Sequence, residues 1–148
     1  MYEFLDWTVQ DVMSQPVTLP PTATLAEAEM LFEQHNYNTV PVADDTGRLL
    51  GLLTSLDLLR AFDFSEDVIL PAFDQVMAQP ISEFMTRDVQ IVRPRTPLTR
   101  VVRKLVESRN RSFPVVEDEH VIGIIARKDV MNALRRGIRG EKPWASRP

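Results

Sequence analysis

The sequence repeats its own pattern once, and this internal repeat constrains the fold more than any other feature of the 148 residues. Gly123 follows Gly51 by 72 positions, and Asp129 follows Asp57 by the same interval. Each copy of a repeated pattern of this length is one supersecondary unit that packs against its neighbour. We therefore expect two similar subdomains, related by a pseudo-two-fold axis and packed face to face.

The first copy predicts a short strand followed by helix, strand, strand and helix. Thr24 to Glu27 has the spacing of a capping box and begins the first helix. The apolar runs Val40 to Ala43 and Leu49 to Leu53 are typical of buried strands. Val17 to Leu19 is a candidate for the short first strand, and Ser55 to about Phe62 for the last helix. This βαββα order indicates the α+β fold class.

The second copy follows the same order. Pro97 after Thr96 predicts a helix start, and the runs Phe113 to Val116 and Val121 to Ile125 match the two strands of the first copy. The predicted divisions are a first unit with its N-terminal segment at 1–62, a linker at 63–80 with a short helix around 71–78, a second unit at 81–134 and a basic C-terminal tail at 135–148.

Composition narrows the classes of function. The net charge of -4 argues against nucleic acid as the main partner, and the absence of cysteine excludes disulfides and thiolate metal sites. With no cysteine and no signal peptide, we expect a cytoplasmic protein, and no apolar run is long enough to span a membrane. His35 and His120 have no partner at metal-ligand spacing, and no catalytic motif is visible. We therefore predict no enzyme activity and no metal.

A hydroxyl and a carboxylate follow the last strand of the first copy. Thr54 ends the strand, and Asp57 falls in the first turn of the helix, where free N–H groups also point outward. Such groups can hold a ribose and its phosphate. The same spacing is also that of an ordinary helix start, in which the hydroxyl caps the helix and the acid favours its dipole.

Both halves resemble cystathionine-β-synthase (CBS) domains, and the pair resembles a tandem CBS module without a further domain. Segments present in both copies, in the same order, carry the resemblance: Val12-Met13 and Phe84-Met85, Val40-Pro41-Val42 and Phe113-Pro114-Val115, and the Gly-apolar-apolar segments 51–57 and 123–129. The resemblance implies two pseudo-symmetric βαββα units packed as an intramolecular pair. It also implies two clefts between them that take adenosine-containing ligands, and frequent dimerisation.

The resemblance also implies which residues would contact such a ligand. In the first unit these are Val17, Thr18, Asn38, Thr39, Pro41, Val42, Thr54 and Asp57. In the second unit they are Val89, Arg111, Ser112, Pro114, Val115, Arg127, Lys128 and Asp129. The aspartates would accept from the ribose hydroxyls, and the apolar strand residues would lie against adenine. The Pro-Val segments are core strands in either case.

The second unit departs from the family pattern. Ala126 stands where the first unit has Thr54, so one hydroxyl is lost. Arg111, Arg127 and Lys128 offset the loss if they reach a phosphate, although each is also an ordinary surface charge. We expect unequal clefts, and the intact motif favours the one that contains Thr54.

The predicted function is therefore a non-catalytic regulatory module. It would bind AMP, ADP, ATP or S-adenosylmethionine, signal to a separate partner protein and form a homodimer. The alternative is an interaction module that dimerises through its helices without physiological nucleotide binding. Aromatic residues in segment 1–7 either pack on their own domain or form a dimer contact. A nucleic-acid binder that uses the basic tail is a third hypothesis.

Overall fold

The N-terminal segment belongs structurally to the second sequence copy. A computed structural model describes residues 3–35, 37–63 and 73–144, and the chain divides into unit 1, Met1–Pro16 with Gln90–Pro148, and unit 2, Val17–Val89. The Val9 amide donates to the Thr96 carbonyl at 2.9 Å, and Ser14 pairs through its backbone with Ile124. The sequence repeat assigns residues 1–16 to the first copy. These bonds explain why the structure instead places them in unit 1, which contains the second copy.

The described residues contain six α-helices, four strands and two 3-10 turns. In chain order they are a 3-10 turn at Glu3–Asp6, α1 (Val9–Val12), α2 (Leu25–His35), β1 (Thr39–Ala43), β2 (Leu49–Thr54), α3 (Ser55–Arg60), α4 (Phe73–Met77), a 3-10 turn at Ile81–Glu83, α5 (Leu98–Ser108), β3 (Ser112–Glu117), β4 (His120–Ala126) and α6 (Arg127–Ile138). None of these helices is long and apolar enough to cross a membrane.

In unit 2, β1 and β2 form an antiparallel hairpin. One further residue pairs with the outer edge of each strand through an isolated β-bridge. Leu19 bridges β1 at Val42 in parallel, and Thr86 bridges β2 at Leu52 with both backbone bonds at 2.8 Å. The predicted first strand, Val17–Leu19, is therefore reduced to one bridging residue. Gly51 lies under the Thr86 segment, where a Cβ atom would come within 2.8 Å of the Thr86 carbonyl oxygen.

Unit 1 repeats this arrangement with residues from two distant parts of the chain. Val92 bridges β3 at Val115, and Ser14 bridges β4 at Ile124. Gly123 lies under the Ser14 segment, because an added Cβ atom would come within 2.5 Å of the Met13 sulfur. Each unit is thus built on a hairpin that carries a glycine beneath an incoming segment.

Each unit has its own hydrophobic core. The core of unit 1 consists of Val9, Val92, Leu98, Val101, Leu105, Phe113, Val115, Ile125, Val130 and Ala133. The core of unit 2 consists of Ala23, Leu25, Ala28, Phe32, Val40, Val42, Leu53, Val76, Met77 and Ile81. Burial of such side chains supplies about 1.5–3 kcal/mol for each large aliphatic or aromatic residue.

The ends of the predicted divisions differ in detail from the structure. Within the predicted linker, α4 places Val76 and Met77 in the core of unit 2, whereas residues 64–72 lie outside the described residues. The last helix continues to Ile138, four residues into the predicted tail. In this extension Gly137 is buried against Phe4, which with Trp7 packs on the core of unit 1. The N-terminal aromatic residues in the described part of the chain therefore pack on their own chain.

Candidate functional site

The strand register of unit 2 collects four of the predicted ligand residues at the open end of the β1–β2 hairpin. Thr39 lies opposite Thr54, and the Ser55 amide donates to the Asn38 carbonyl at 2.9 Å. Asp57 follows in the first turn of α3. The hydroxyls and the carboxylate therefore lie close together, as the sequence predicts for one unit.

The Asp57 carboxylate forms its hydrogen bonds and ion pair with residues of α3 and its N-cap. Its Oδ2 accepts from the Thr54 amide at 2.8 Å, and the Thr54 hydroxyl accepts from the Asp57 amide at 3.1 Å. Its Oδ1 lies 3.5 Å from a guanidinium nitrogen of Arg60, and the side chain is 3% exposed. These contacts form a capping box, and they match the helix-start interpretation of the Thr54–Asp57 motif.

Unit 1 gathers the corresponding residues at the open end of the β3–β4 hairpin. Ser112 lies opposite Ala126, and the Arg127 amide donates to the Arg111 carbonyl at 3.0 Å. Asp129 is in the first turn of α6, where its Oδ2 accepts from the Ala126 amide at 2.8 Å. This helix of twelve residues begins without a capping hydroxyl, because Ala126 replaces the threonine of unit 2.

The second oxygen of Asp129 faces a hydroxyl from another part of the chain. Ser14 donates to Oδ1 at 3.1 Å, and Ser14 is exposed whereas Asp129 is partly buried. Burial raises the pKa of Asp129 above 3.8, against the opposing effects of the Ala126 amide, the Ser14 hydroxyl and the nearby Lys128 charge. Oδ1 therefore has one exposed, rotatable partner, and it can accept from the hydroxyls of a bound sugar.

The basic residues of unit 1 have different surroundings. Arg127 is occupied by the end of α5, since its Nε and one terminal nitrogen donate to the carbonyls of Asn110 and Arg109 at 3.1 and 3.0 Å. Arg111 and Lys128 are exposed. Arg127 is exposed as well, but its guanidinium is engaged in this helix-capping contact.

The apolar residues of the predicted sites belong mainly to the cores. Val42 and Val115 are fully buried, and Pro41 and Pro114 are buried beside them in β1 and β3. The remaining three residues of the prediction lie in segments next to the bridges. Val17 is partly buried and Thr18 exposed just before Leu19, while Val89 is the last residue assigned to unit 2 and the other residues of its set are assigned to unit 1.

Two residues near the aspartates were missed at the sequence level, Ser14 and Arg60. The repeat contains a signal for Ser14, because Thr86 follows it by 72 positions and both hydroxyl residues come directly after a methionine. Arg60 has no such signal, since the second copy has Asn132 at the corresponding position. Its contact with Asp57 depends on the side-chain geometry of the first turns of α3.

Two α+β units, each with an aspartate in the first turn of the helix that follows its hairpin, define a protein built from two tandem copies of one domain. The model of the CBS domain matches the chain twice, at residues 9–63 and 81–136, and the chain belongs to this family. The matched segments correspond to the two copies of the sequence repeat, and the fold class predicted from the repeat is confirmed.

Relatives of the chain include enzymes much longer than it. It is 29% identical over 124 residues to L-aspartate semialdehyde sulfurtransferase of Methanocaldococcus jannaschii, with 82% of this chain and 22% of that protein covered. It is 32% identical over 128 residues to inosine-5'-monophosphate dehydrogenase of Escherichia coli K12, with 84% and 24% covered. The chain thus spans less than a quarter of the length of either enzyme.

Solved structures match over nearly their whole length. CBSX2 in complex with AMP, a protein from Arabidopsis thaliana, has 27% identity and a TM-score of 0.73, with 86% of this chain and 95% of that chain covered. The CBS domain pair of MJ0100, in complex with 5'-methylthioadenosine and S-adenosyl-L-methionine, has 29% identity and a TM-score of 0.68, with 84% and 93% covered. These two CBS pairs bind adenosine-containing ligands.

Proposed function

We propose that the protein is a non-catalytic regulatory module that binds an adenosine-containing ligand in unit 1. The observation that carries this proposal is the Asp129 carboxylate, whose Oδ1 faces the exposed Ser14 hydroxyl. A carboxylate oriented by its helix start accepts strong hydrogen bonds from the two vicinal hydroxyls of a ribose. The AMP and S-adenosylmethionine complexes of the related CBS pairs support this class of ligand.

Exposed cations of unit 1 would receive the phosphate. Lys128 is next to Asp129 in the first turn of α6, and Arg111 precedes the strand residue that pairs with Ala126. Arg111 adjoins the start of α6, because its carbonyl accepts from the Arg127 amide, and the positive end of the helix dipole also favours an anion there. AMP is therefore the first ligand to test, followed by ADP, ATP and S-adenosylmethionine.

The chain would act through a partner rather than through chemistry of its own. It covers less than a quarter of the two related enzymes, and our proposal assigns neither of their activities to it. We propose that ligand binding in the cytoplasm changes the affinity of a homodimer for a separate regulated protein. The identity of that protein would be found by capture with and without AMP.

A ligand screen by thermal shift tests the proposal. A ligand present at one hundred times its Kd raises the free energy of unfolding by about 2.7 kcal/mol. We expect a shift with at least one of AMP, ADP, ATP and S-adenosylmethionine, and a smaller one with 2′-deoxy-AMP, which lacks one ribose hydroxyl. Lack of a shift with all four at millimolar concentration would overturn the proposed function.

A second candidate function is an interaction module that dimerises through its helices. The observation that favours it is an apolar groove of about 300 Å³ between α5 and α6. Val106 and Met131 in this groove are 73% and 53% exposed, and such surface is usually covered by a partner. A dimer that forms without any adenosine ligand and binds none of them would favour this candidate.

A further inference from the structure

The helices α3 and α6 begin with the same backbone geometry. Their N-caps have φ and ψ of -113° and 163° at Thr54 and of -114° and 165° at Ala126. In each helix one oxygen of the aspartate in the first turn accepts from the N-cap amide at 2.8 Å. Residues three apart on a helix are neighbours on its surface. The side chain three positions after the aspartate therefore starts from the same place beside the carboxylate in both units.

The residue at this position differs between the two helices. In α3 it is Arg60, whose guanidinium nitrogen lies 3.5 Å from the second oxygen of the aspartate. In α6 it is the exposed Asn132, whose side-chain oxygen accepts from Arg135 at 2.9 Å. The second oxygen of Asp129 accepts instead from the exposed Ser14 hydroxyl at 3.1 Å. The carboxylate oxygen that faces a rotatable hydroxyl in unit 1 is thus paired with an arginine in unit 2.

We propose that the residue three positions after each aspartate determines which unit takes the ligand. Asn132 leaves the second oxygen of Asp129 accessible to the ribose hydroxyls, whereas Arg60 occupies the corresponding oxygen of Asp57. A guanidinium carries several N–H donors in the geometry that a carboxylate prefers, so a ribose would have to displace it before it could bind. The inference rests on the adenosine site of the proposed function and adds the position that selects unit 1.

The sign of the effect distinguishes this role from a general effect of charge. A further arginine near a bound phosphate ordinarily strengthens the binding of AMP, because opposite charges attract. An arginine at position 132 that pairs with Asp129, as Arg60 pairs with Asp57, would weaken binding instead. Adenosine has no phosphate, so its affinity would respond to the loss of the acceptor without the opposing attraction.

Isothermal titration of AMP and of adenosine into the full chain tests the inference with Asn132→Arg. We expect the Kd of both ligands to rise at least about threefold, because each must break the new ion pair. The urea midpoint should not fall, since the ion pair adds a contact at an exposed position of α6. Three controls should keep the wild-type affinity. Asn132→Met removes the amide without adding charge, Ile138→Arg adds the charge at the far end of α6, and Arg60→Asn makes the reverse exchange in unit 2.

The outcomes separate this inference from the proposed function. If the wild type binds AMP and Asn132→Arg binds it equally well or more tightly, the inference is overturned while the ligand site stands. Equal weakening by Asn132→Met or by Ile138→Arg would also overturn it, because the effect would then follow the lost amide or the net charge. A changed affinity in Arg60→Asn would place the site in unit 2. Absence of binding by the wild type in both titrations would overturn the inference together with the AMP site of the proposed function.

Discussion

The starts of α3 and α6 carry the same aspartate in the same register, but the two carboxylates have different partners. Asp57 is 3% exposed and is satisfied by the Thr54 amide at the start of α3 and by Arg60 at the end of the same short helix. Asp129 is partly buried, and its second oxygen accepts from Ser14, which is 115 residues away in the chain. Asp57 thus makes its contacts within and next to its own helix, whereas one oxygen of Asp129 contacts the exposed Ser14 hydroxyl.

Substitutions around the two aspartates account for the difference. Arg60 of unit 2 is replaced by Asn132 in unit 1, and the side chain of Asn132 accepts from Arg135 instead of approaching the aspartate. Thr54 is replaced by Ala126, so the capping hydroxyl is lost. As a place for a ligand, the sequence motif alone favours unit 2, which has the threonine. The accessible Asp129 oxygen is the reason that our proposal places the ligand in unit 1 instead.

The largest expected effect comes from the glycines under the bridging segments. Gly51→Ala would bring a Cβ atom within 2.8 Å of a backbone oxygen of Thr86, and we expect it to lower the free energy of unfolding by about 1–3 kcal/mol. Gly123→Ala meets mainly the flexible Met13 side chain, so it should cost less, yet it should weaken AMP binding by moving Ser14. Urea denaturation and calorimetry measure both quantities.

If Gly123→Ala left AMP binding unchanged while Gly51→Ala weakened it, the ligand site would lie in unit 2. That result would reverse the comparison between the aspartates. Circular dichroism of both variants is the control for folding.

Asp57→Ala is expected to lower the free energy of unfolding by about 1–2 kcal/mol, because the partly buried Thr54 amide loses its acceptor and the helix loses its capping box. Asp129→Ala should cost less, since burial of its carboxylate already opposes the charged form. Urea denaturation of the two variants compares them directly. Equal losses would mean that the two aspartates stabilise their helices alike.

Ser14→Ala tests whether the hydroxyl from the N-terminal segment takes part in binding. We expect AMP affinity to fall by a factor of about five to ten, the equivalent of one ordinary hydrogen bond of about 1–1.4 kcal/mol. Thr86→Ala is the matched control at the corresponding position of unit 2 and should leave the affinity unchanged. An affinity loss in the control alone would point to unit 2.

The smallest expected effect is the pH dependence of stability that Asp129 confers. Because burial raises its pKa, the folded chain binds a proton at a higher pH than the unfolded chain does. Its contribution to stability is therefore greatest at low pH and is lost as the pH rises through the raised pKa. Asp129→Asn removes this loss, so the variant should gain stability relative to wild type as the pH rises from acid to neutral. A constant difference in chemical denaturation across this range would contradict the assignment.

Much of the fold follows from the repeat, because the apolar runs, the helix starts and the Gly-apolar-apolar segments recur in the same order. The hairpins, the long helices and the position of both aspartates in first turns are all visible in this way. The pairing of the N-terminal segment with β4 could not be predicted from the repeat, because it depends on long-range backbone hydrogen bonds such as those between Ser14 and Ile124. The burial of Val42 and Val115 limits the predicted adenine contacts for a similar reason, because packing decides which face of a strand is available.

The most direct test of the central claim is isothermal titration of AMP into Asp57→Asn and Asp129→Asn, two isosteric changes at corresponding positions. The account predicts that Asp129→Asn weakens binding by about tenfold or more, because the ribose loses a charged acceptor, while Asp57→Asn binds as the wild type does. Loss of binding in Asp57→Asn with wild-type affinity in Asp129→Asn would contradict it.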